Sequence, residues 1–272
     1  MKRLAPAAIR AFQKKIYEHY RMYGRDLPWR KTRNPYRILV SEIMLQQTQA
    51  DRVLQKYSLF LKHYPDFKAL AAAPVRDLLA IWQGLGYNRR ALSLKKLAMQ
   101  VVAEHAAKLP KDPEQLLSLP GIGKYTAGAV AAFAFRQPAV FMDTNIRRVF
   151  IHTFFSDKEQ IADADILPLV QQTLDASAPH AWYNALMDYG AMLAKEHRNA
   201  NRKSAHYTRQ TRFENSNRQV RGRILKVLVA ESRLTIAQIV KKVGMDADRV
   251  KDNLVQMEKE GFIKKTGRSF VV

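Results

Sequence analysis

The sequence contains no cysteine, which excludes disulfide bonds, thiolate zinc sites and cysteine-ligated iron–sulfur clusters. With 11 Gly and 11 Pro among 272 residues, low-complexity and collagen-like chains are excluded as well. The longest clearly apolar run, at 127–135, is far shorter than the roughly 20 residues that a membrane-spanning helix needs. The basic start of the chain lacks the long apolar core of a signal peptide. We therefore expect a soluble, cytoplasmic protein with no membrane segment.

Acidic residues are scarce, since 24 Asp and Glu face 46 Lys and Arg, for a formal net charge of +22. Hydrophobic residues make up 47% of the chain and aromatics 10%, which excludes a disordered polyelectrolyte. A folded chain this basic predicts a polyanionic partner, nucleic acid before a membrane surface. The alternative is a basic surface that only improves solubility. The length predicts one large or two modest domains with a sizeable core.

The spacing of apolar residues predicts a mainly α-helical chain, because they recur at three- and four-residue intervals. The stretch at 126–135 is apolar on all sides and should form a central buried helix. Ser41 is a candidate cap within the second predicted helix. The predicted helices lie at 9–20, 36–60, 77–82, 91–105, 113–119, 126–135, 166–176 and 181–195.

The composition changes after His197. Residues 198–226 hold nine Lys or Arg against one acid, Glu214, which indicates a phosphate-facing strap or a merely solvated linker. Beyond residue 220, a helix, a second helix capped by Thr235, a third capped by Asp246 and a hairpin at 263–272 form a winged-helix pattern. Such modules bind DNA or other proteins. The basic residues suited to DNA phosphates are Arg249, Lys251, Lys259, Lys264, Lys265 and Arg268.

One segment, Leu119-Pro-Gly-Ile-Gly-Lys-Tyr-Thr126, predicts a tight hairpin directly before a helix. Gly121 and Gly123 can adopt positive φ, which lets the backbone approach a ligand closely. Main-chain N–H groups at the start of the next helix then favour an anion. The alternative is an ordinary helix–turn–helix joint.

Two further segments carry candidate chemistry. Asp143 stands between an apolar stretch and a basic helix, so it is either a partly buried acid or a plain N-cap. Glu42 stands beside apolar residues in the segment at 41–49, although lone helical glutamates are usually solvated. The uncharged amides Gln46, Gln47 and Gln49 follow it, and such side chains read base edges.

Six ordered motifs together resemble the helix-hairpin-helix (HhH-GPD) glycosylases of base excision repair, and most of all the MutY adenine glycosylases. The resemblance covers about residues 27–194 and implies a mainly α, two-lobed glycosylase core at 1–196. A basic strap at 197–219 and a small winged-helix-like domain at 220–272 would follow. The motifs are Leu27-Pro-Trp-Arg30, Pro35-Tyr36, Ser41-Glu-Ile-Met-Leu-Gln-Gln-Thr-Gln49, Trp82-Gln-Gly-Leu-Gly-Tyr87, Leu119-Pro-Gly-Ile-Gly-Lys-Tyr-Thr-Ala-Gly128 and Asp143-Thr-Asn145.

The resemblance implies chemistry on a base that is flipped out of the DNA stack. Asp143 would stabilise the oxocarbenium-like sugar and position or activate water. Glu42 would protonate the purine at N7, which requires a pKa raised by burial. The hairpin would grip DNA phosphate, with a Na⁺ or K⁺ ion at its carbonyls.

The same resemblance implies further DNA contacts, in three sets. The residues of the base pocket and of DNA reading are Tyr125, Gln46, Gln47, Arg30, Trp29, Tyr87 and Asn88. The phosphate-binding hairpin consists of Leu119, Gly121, Ile122, Gly123, Lys124 and Thr126. The residues expected on the DNA backbone are Arg202, Lys203, Arg209, Arg249, Lys264 and Arg268.

The chain departs from the family pattern in ways that bear on its chemistry. Members that cleave the backbone carry a lysine where this chain has Tyr125, and Lys124 lies about 100° away around the helix, so we expect a monofunctional hydrolase. Weak strand nicking by Lys124 or another amine is the alternative. Non-thiol residues occupy the positions of the four cluster cysteines, so no iron–sulfur cluster is expected and the basic segment at 198–223 would replace it. These residues are Ala194, Asn201, Ser204 and Gln210.

The domain that reads 8-oxoguanine in MutY is also missing, and Asn88 stands where MutY has a wedge tyrosine. Tyr125, Asn88 and the glutamate also resemble the thymine/uracil mismatch glycosylases. We expect a monomer, associated with the nucleoid, that acts on duplex DNA with a mispaired or damaged base. The expected reaction is removal of adenine opposite G or 8-oxoguanine. The alternatives are removal of thymine or uracil opposite G, and a non-catalytic DNA-binding protein.

Overall fold

The computed structural model describes residues 3–272, and helices dominate this part of the chain. Short 3-10 turns lie at Pro28–Arg30 and Ala200–Lys203. The helices are α1 (Pro6–Tyr23), α2 (Pro35–Leu45), α3 (Ala50–His63), α4 (Phe67–Ala72), α5 (Val75–Trp82), α6 (Arg89–Glu104), α7 (Pro113–Ser118), α8 (Lys124–Ala134), α9 (Thr144–Phe154), α10 (Asp163–Thr173), α11 (Pro179–Glu196), α12 (Asn217–Ala230), α13 (Ile236–Val243) and α14 (Ala247–Lys259). The strands are β1 (Leu234–Thr235), β2 (Lys264–Thr266) and β3 (Ser269–Val271).

The chain divides into two compact units, and the first combines the residues up to Glu42 with 109–209. Its core is aromatic: Phe12 of α1 meets Phe150 of α9 and Trp182 of α11 edge-on, with ring centroids 5.5 and 5.8 Å apart. Such pairs contribute about 0.5–1.5 kcal/mol beyond the area that they bury. The predicted central helix at 126–135 is confirmed as α8, which is buried along most of its length.

The second unit combines 43–108 with 210–272 and contains the winged helix. The predicted caps are confirmed, because Thr235 accepts the amide of Gln238 and Asp246 accepts the amide of Arg249. The predicted hairpin is also confirmed as β2 and β3. The two-residue strand β1 was not predicted; it pairs antiparallel with β3 and completes a sheet of order β1-β3-β2.

The single helix predicted at 36–60 is wrong, because α2 ends at Leu45 and α3 begins at Ala50. Gln47 between them has φ +53°, in the left-handed region that ends helices. The Arg90 guanidinium donates to three main-chain carbonyls at the end of α2, those of Ile43, Met44 and Gln46. It thereby satisfies oxygens that a continuing helix would have paired.

Ser41 does not cap this helix, contrary to expectation. It lies inside α2, where its hydroxyl donates back to the carbonyl of Ile38 at 2.7 Å. The side chain of Asn34 instead accepts the amide of Arg37 in the first turn. Across residues 3–272, none of the helices combines the length and apolarity that crossing a membrane requires.

Candidate active site

Glu42 lies on the buried length of α2, where residues 38–44 are all buried and Glu42 itself is 5% exposed. The hydroxyl of Tyr125 donates to Glu42 Oε2 at 2.9 Å. Tyr125 stands in the first turn of α8, with its ring edge-on to Phe141 at 5.7 Å between centroids. Two side chains nominated from separate motifs are therefore in direct contact.

Burial raises the pKa of Glu42 to about 7 from an ordinary value of 4.5. The negative charge of Asp143 adds to this rise, whereas the hydrogen bond from Tyr125 and the charge of Arg30 oppose it. A carboxyl with a pKa near 7 can hold a proton at neutral pH and still release it, which is the property of a general acid.

Asp143 is the N-cap of α9, and it is half-buried as well. Its Oδ1 accepts the amide of Ile146 at 2.7 Å, and its Oδ2 accepts Nδ2 of Asn145 at 2.9 Å. Burial raises the pKa of Asp143, although these two donors and the charge of Arg148 oppose the rise. Asp143 is therefore both a partly buried acid and an N-cap. The N-terminus of α9, which it caps, favours the anionic form of its carboxyl.

Asn145 holds Asp143 in place, and Arg148 in turn holds Asn145. Neither Asn145 nor Arg148 was assigned a role from the sequence. Arg148 donates to Asn145 Oδ1 at 2.9 Å and to the carbonyl of Gly190 at 2.8 Å. A β-carbon at Gly190 would lie 2.5 Å from the carbonyl oxygen of Asn145, so α11 can approach α9 this closely only with glycine there. The spacing Asp143, Asn145, Arg148 was a usable signal, because it follows the first turn of a helix.

Arg30 forms a buried ion pair with Asp188 of α11. Its two terminal nitrogens donate to the two Asp188 oxygens at 2.8 and 2.7 Å, and Arg25 adds a third charged contact at 2.6 Å. Burial raises the pKa of Asp188, but Arg30 and Arg25 outweigh it and the pKa is lowered. Trp29 beside Arg30 is buried. The guanidinium of Arg30 thus fixes the loop before α2 and also acts on Glu42 electrostatically.

The predicted hairpin lies between α7 and α8. Gly121 has the expected positive φ of +81°, and the amide of Ile122 donates to the Leu119 carbonyl at 3.1 Å. The expectation for Gly123 is wrong, because its φ is −102° and its backbone is extended. Nothing lies within 4 Å of a β-carbon built on Gly123, so this face of the hairpin is open. Lys124 beside it is exposed, whereas Leu119, Ile122 and Thr126 are buried.

The remaining residues expected to read DNA belong to the second unit. Gln46 and Gln47 occupy the turn between α2 and α3, and Gln47 is exposed. Tyr87 has φ +46°, like Gln47 in the left-handed region, and Asn88 follows at the start of α6. Arg90, which sequence reasoning missed, donates to the carbonyls of both turns, those of Gln46, Leu85 and Gly86.

The residues expected on the DNA backbone differ in their surroundings. Lys203 pairs with Glu159 at 3.2 Å, and Arg249 donates to the Asn215 carbonyl and to Asn217 Oδ1. The other four are exposed: Arg202, Arg209, Lys264 and Arg268.

The segment at 201–205, which includes two of the positions where the glycosylase family carries its cluster ligands, forms hydrogen bonds with other parts of the first unit. Asn201 is buried and donates to the carbonyl of Thr144, next to Asp143, at 2.9 Å. The carbonyl of Lys203 accepts the amide of Ile161, whose own carbonyl accepts the amide of Ala205. Within residues 3–272 there is no group of three or more His, Asp or Glu that could hold a metal.

Comparisons with known proteins agree with this architecture. Residues 40–167 match the HhH-GPD superfamily base excision DNA repair protein family, and residues 218–264 match the winged helix-turn-helix DNA-binding family. The chain is 37% identical over 230 residues to the adenine DNA glycosylase of Mycolicibacterium smegmatis, covering 78% of this chain and 77% of that protein. It is 38% identical over 143 residues to the thymine-DNA glycosylase of Aeropyrum pernix, covering 52% and 64%. The solved structure of a thermostable thymine-DNA glycosylase matches with a TM-score of 0.63 and 29% identity, covering 72% of this chain and 91% of that one.

The helical core with its hairpin before α8, together with these relatives, makes the chain a glycosylase that acts on DNA bases. The chain belongs to the HhH-GPD superfamily of base excision DNA repair proteins and is a DNA glycosylase with a C-terminal winged helix. The expected fold class and family are thereby confirmed.

Proposed function

We propose that this glycosylase hydrolyses the N-glycosidic bond of adenine mispaired with G or 8-oxoguanine, without strong strand cleavage. The observation that carries the proposal is Glu42, a buried carboxyl with a pKa of about 7 that Tyr125 holds by a hydrogen bond. A purine leaving group has a basic N7 that such an acid can protonate, and a pyrimidine has none. The adenine DNA glycosylase relative also covers more of the chain than the thymine-DNA glycosylase relative.

In the proposed reaction the flipped adenine receives the Glu42 proton at N7. The bond from C1′ to N9 then breaks, and its electron pair leaves with the neutral base. Asp143 stabilises the positive charge on the sugar. Water adds to C1′, and Asp143 takes its proton, so that the products are free adenine and an abasic site.

The expected absence of strong lyase activity rests on position 125. Tyr125 occupies the place from which a lysine would attack C1′, and its hydroxyl is engaged with Glu42. Lys124, the neighbouring residue, is exposed and lies outside that buried pair. Without an amine at position 125 to form a Schiff base, water adds to C1′ and the abasic sugar stays in an intact strand.

Duplex DNA binding in this proposal uses the hairpin, the basic strap at 197–219 and the wing. The donors available for a cation at residues 119–123 are main-chain carbonyl oxygens, the hard ligands that suit such ions. A bound Na⁺ or K⁺ ion would add positive charge beside a phosphate. We further propose that the protein acts as a monomer in the nucleoid.

A single-turnover assay tests the substrate. Duplexes would carry A, T, U or hypoxanthine opposite G or 8-oxoguanine, and each product would be split with and without alkali. We expect alkali-dependent cleavage at adenine. Cleavage only at T or U opposite G would replace the substrate with the one that the thymine-DNA glycosylase likeness suggests. Cleavage without alkali would refute the monofunctional mechanism.

Two variants test the assigned roles. Asp143→Asn should lower the rate about 10²–10³-fold while duplex affinity is kept or rises. Glu42→Gln should lower adenine release about 10²–10⁴-fold. Glu104→Gln, an exposed change of the same chemistry on α6, is the matched control and should retain the wild-type rate. Substantial adenine release by Glu42→Gln would contradict the acid role.

A further inference from the structure

The loop before α6 is held in a conformation that its sequence alone does not favour. Tyr87 has φ +46°, a region that non-glycine residues rarely occupy without support from their surroundings. Arg90 supports the loop from within, by donating to the carbonyls of Leu85 and Gly86 and lying 5.6 Å from the Tyr87 ring. These contacts leave the Tyr87 hydroxyl to other partners.

The partners of that hydroxyl come from the C-terminal part of the same unit. Arg218, in the first turn of α12, donates to the Tyr87 oxygen at 3.2 Å, and the side-chain amide of Gln210 donates to it as well. Arg218 also donates to the Thr211 carbonyl at 2.6 Å, so its guanidinium links the segment before α12 to the loop.

The same face of α12 is attached to the helices on both sides of the loop. In its middle, Arg221 pairs with Glu260 at 2.5 Å, and Glu260 pairs with Arg89 of α6 at 2.8 Å. At its end, the Val229 carbonyl accepts two bonds from Arg76 of α5, at 3.0 and 2.8 Å. Positions 218, 221, 225 and 229 follow helical spacing, so one stripe of α12 makes all three attachments.

The helix of the winged-helix domain that would enter a DNA groove, α14, carries no net charge. On α14 three acids balance three bases, and Lys251 pairs with Asp248 at 3.0 Å. Arg249 is engaged with the segment before α12. The charged residues of α14 are Asp248, Arg249, Lys251, Asp252, Glu258 and Lys259. A neutral helix is poorly suited to the phosphates that line a groove.

We propose that the winged-helix domain acts as a brace that holds the Tyr87 loop in its observed conformation, through Arg218, Arg221 and Glu260 and through the Val229 carbonyl that Arg76 of α5 binds. Arg218 is a positioning residue in this scheme, because it acts through the Tyr87 hydroxyl. The contact of the loop with DNA rests on the proposed function. The brace itself is a property of the free protein.

Hydrogen exchange of the full chain, without DNA, tests the brace. Arg218→Ala should make amides in the peptide 83–90 exchange about tenfold faster, while peptides of α13 and α14 keep their wild-type protection. Lys226→Ala removes the same charge from an exposed position of α12 and should leave the peptide 83–90 unchanged. Wild-type exchange at 83–90 in Arg218→Ala would overturn the proposal.

A double-mutant comparison identifies the contact. Tyr87→Phe removes the hydroxyl and keeps the ring, so adding Arg218→Ala to Tyr87→Phe should make exchange no faster than in Tyr87→Phe alone. Additive effects would mean that Arg218 acts elsewhere, and would refute its role through Tyr87. Because this readout needs no substrate, it decides about the brace even if wild-type protein releases no base from any duplex.

Discussion

At the scale of single residues, Glu42 links catalysis and stability through one proton. Burial raises its pKa to about 7, so the protonated form needed for base release is lost above neutral pH. We expect the single-turnover rate to fall about tenfold per pH unit on the alkaline side of pH 7, and to fall again in acid as Asp143 is protonated. The alkaline and acid limbs of this pH profile give the apparent pKa values of Glu42 and Asp143 as a coupled pair. A rate that stays flat from pH 7 to pH 9 would contradict this role.

The same proton predicts how stability depends on pH. The folded pKa of Glu42 is raised, so its contribution is fully present below pH 4.5 and is lost as pH rises through about 7. Glu42→Gln has no charge to bury and should be the more stable protein at pH 8, by about 2–3 kcal/mol, with little gain at pH 4.5. Denaturant unfolding at both pH values measures the difference. An equal gain at both would assign the effect to packing instead.

Gly190 limits the approach of α11 to α9. A β-carbon there would meet the main-chain oxygen and carbon of Asn145 at 2.5 and 2.8 Å, which backbone atoms can relieve only by moving. Gly190→Ala should therefore cost about 1–3 kcal/mol and slow base release, since Asn145 holds Asp143. Gly222→Ala on α12 is the control, because nothing lies within 4 Å of its β-carbon and alanine favours a helix. Unfolding and single-turnover rates of both variants provide the test.

At the scale of elements, Arg90 determines where α2 ends. It is the common donor for the turn at Gln46 and the turn at Gly86, and burial lowers its pKa to about 10. Lysine keeps the charge but cannot reach several carbonyls with one planar group. Arg90→Lys should cost about 2–3 kcal/mol in denaturant unfolding. Arg89→Lys, at the exposed neighbouring position, should cost under about 1 kcal/mol. Equal losses in both variants would contradict the special role of Arg90.

The end of α2 also shows what apolar periodicity can predict and what it cannot. Apolar spacing predicted most of the helices, because each of those buries a stripe that can be identified from its own residues, but it missed the short α4. The break after Leu45 was not predictable in this way, since its cause is Arg90, 44 residues from the Gln46 carbonyl that it binds. Strand β1 was missed for a similar reason, because two residues form a strand only when β3 is present to pair with them.

The site follows the same rule. Local sequence left Glu42 and Asp143 open between a catalytic and a structural role, and the expected roles of these two residues and of Tyr125 came from the family resemblance. The contact from Arg148 to the Gly190 carbonyl depends on the packing of α11 against α9, which no local pattern in the sequence indicates. The individual roles of these residues stay predictions until the variants above are measured.

At the scale of the whole molecule, the chain packs into units that are not contiguous in sequence. Residues 210–272 belong with 43–108, a grouping that a search for linkers along the chain cannot find. The expected boundaries at 1–196, 197–219 and 220–272 stay predictions. Charge, in contrast, was readable from composition alone, since a sum over residues does not depend on the fold.

The net charge of +22 predicts that duplex binding depends steeply on salt. Each phosphate contact releases condensed counterions, so a footprint of 6–10 contacts should lose about 10³–10⁵-fold in affinity between 50 and 200 mM salt. Titrations with Asp143→Asn, which should keep its affinity for the duplex but release the base slowly, measure the slope. Lys264→Ala on the wing should lower the slope by about 1 if the wing touches phosphate. An unchanged slope would remove the wing from the footprint, and an affinity that does not vary with salt would refute the phosphate strap as well.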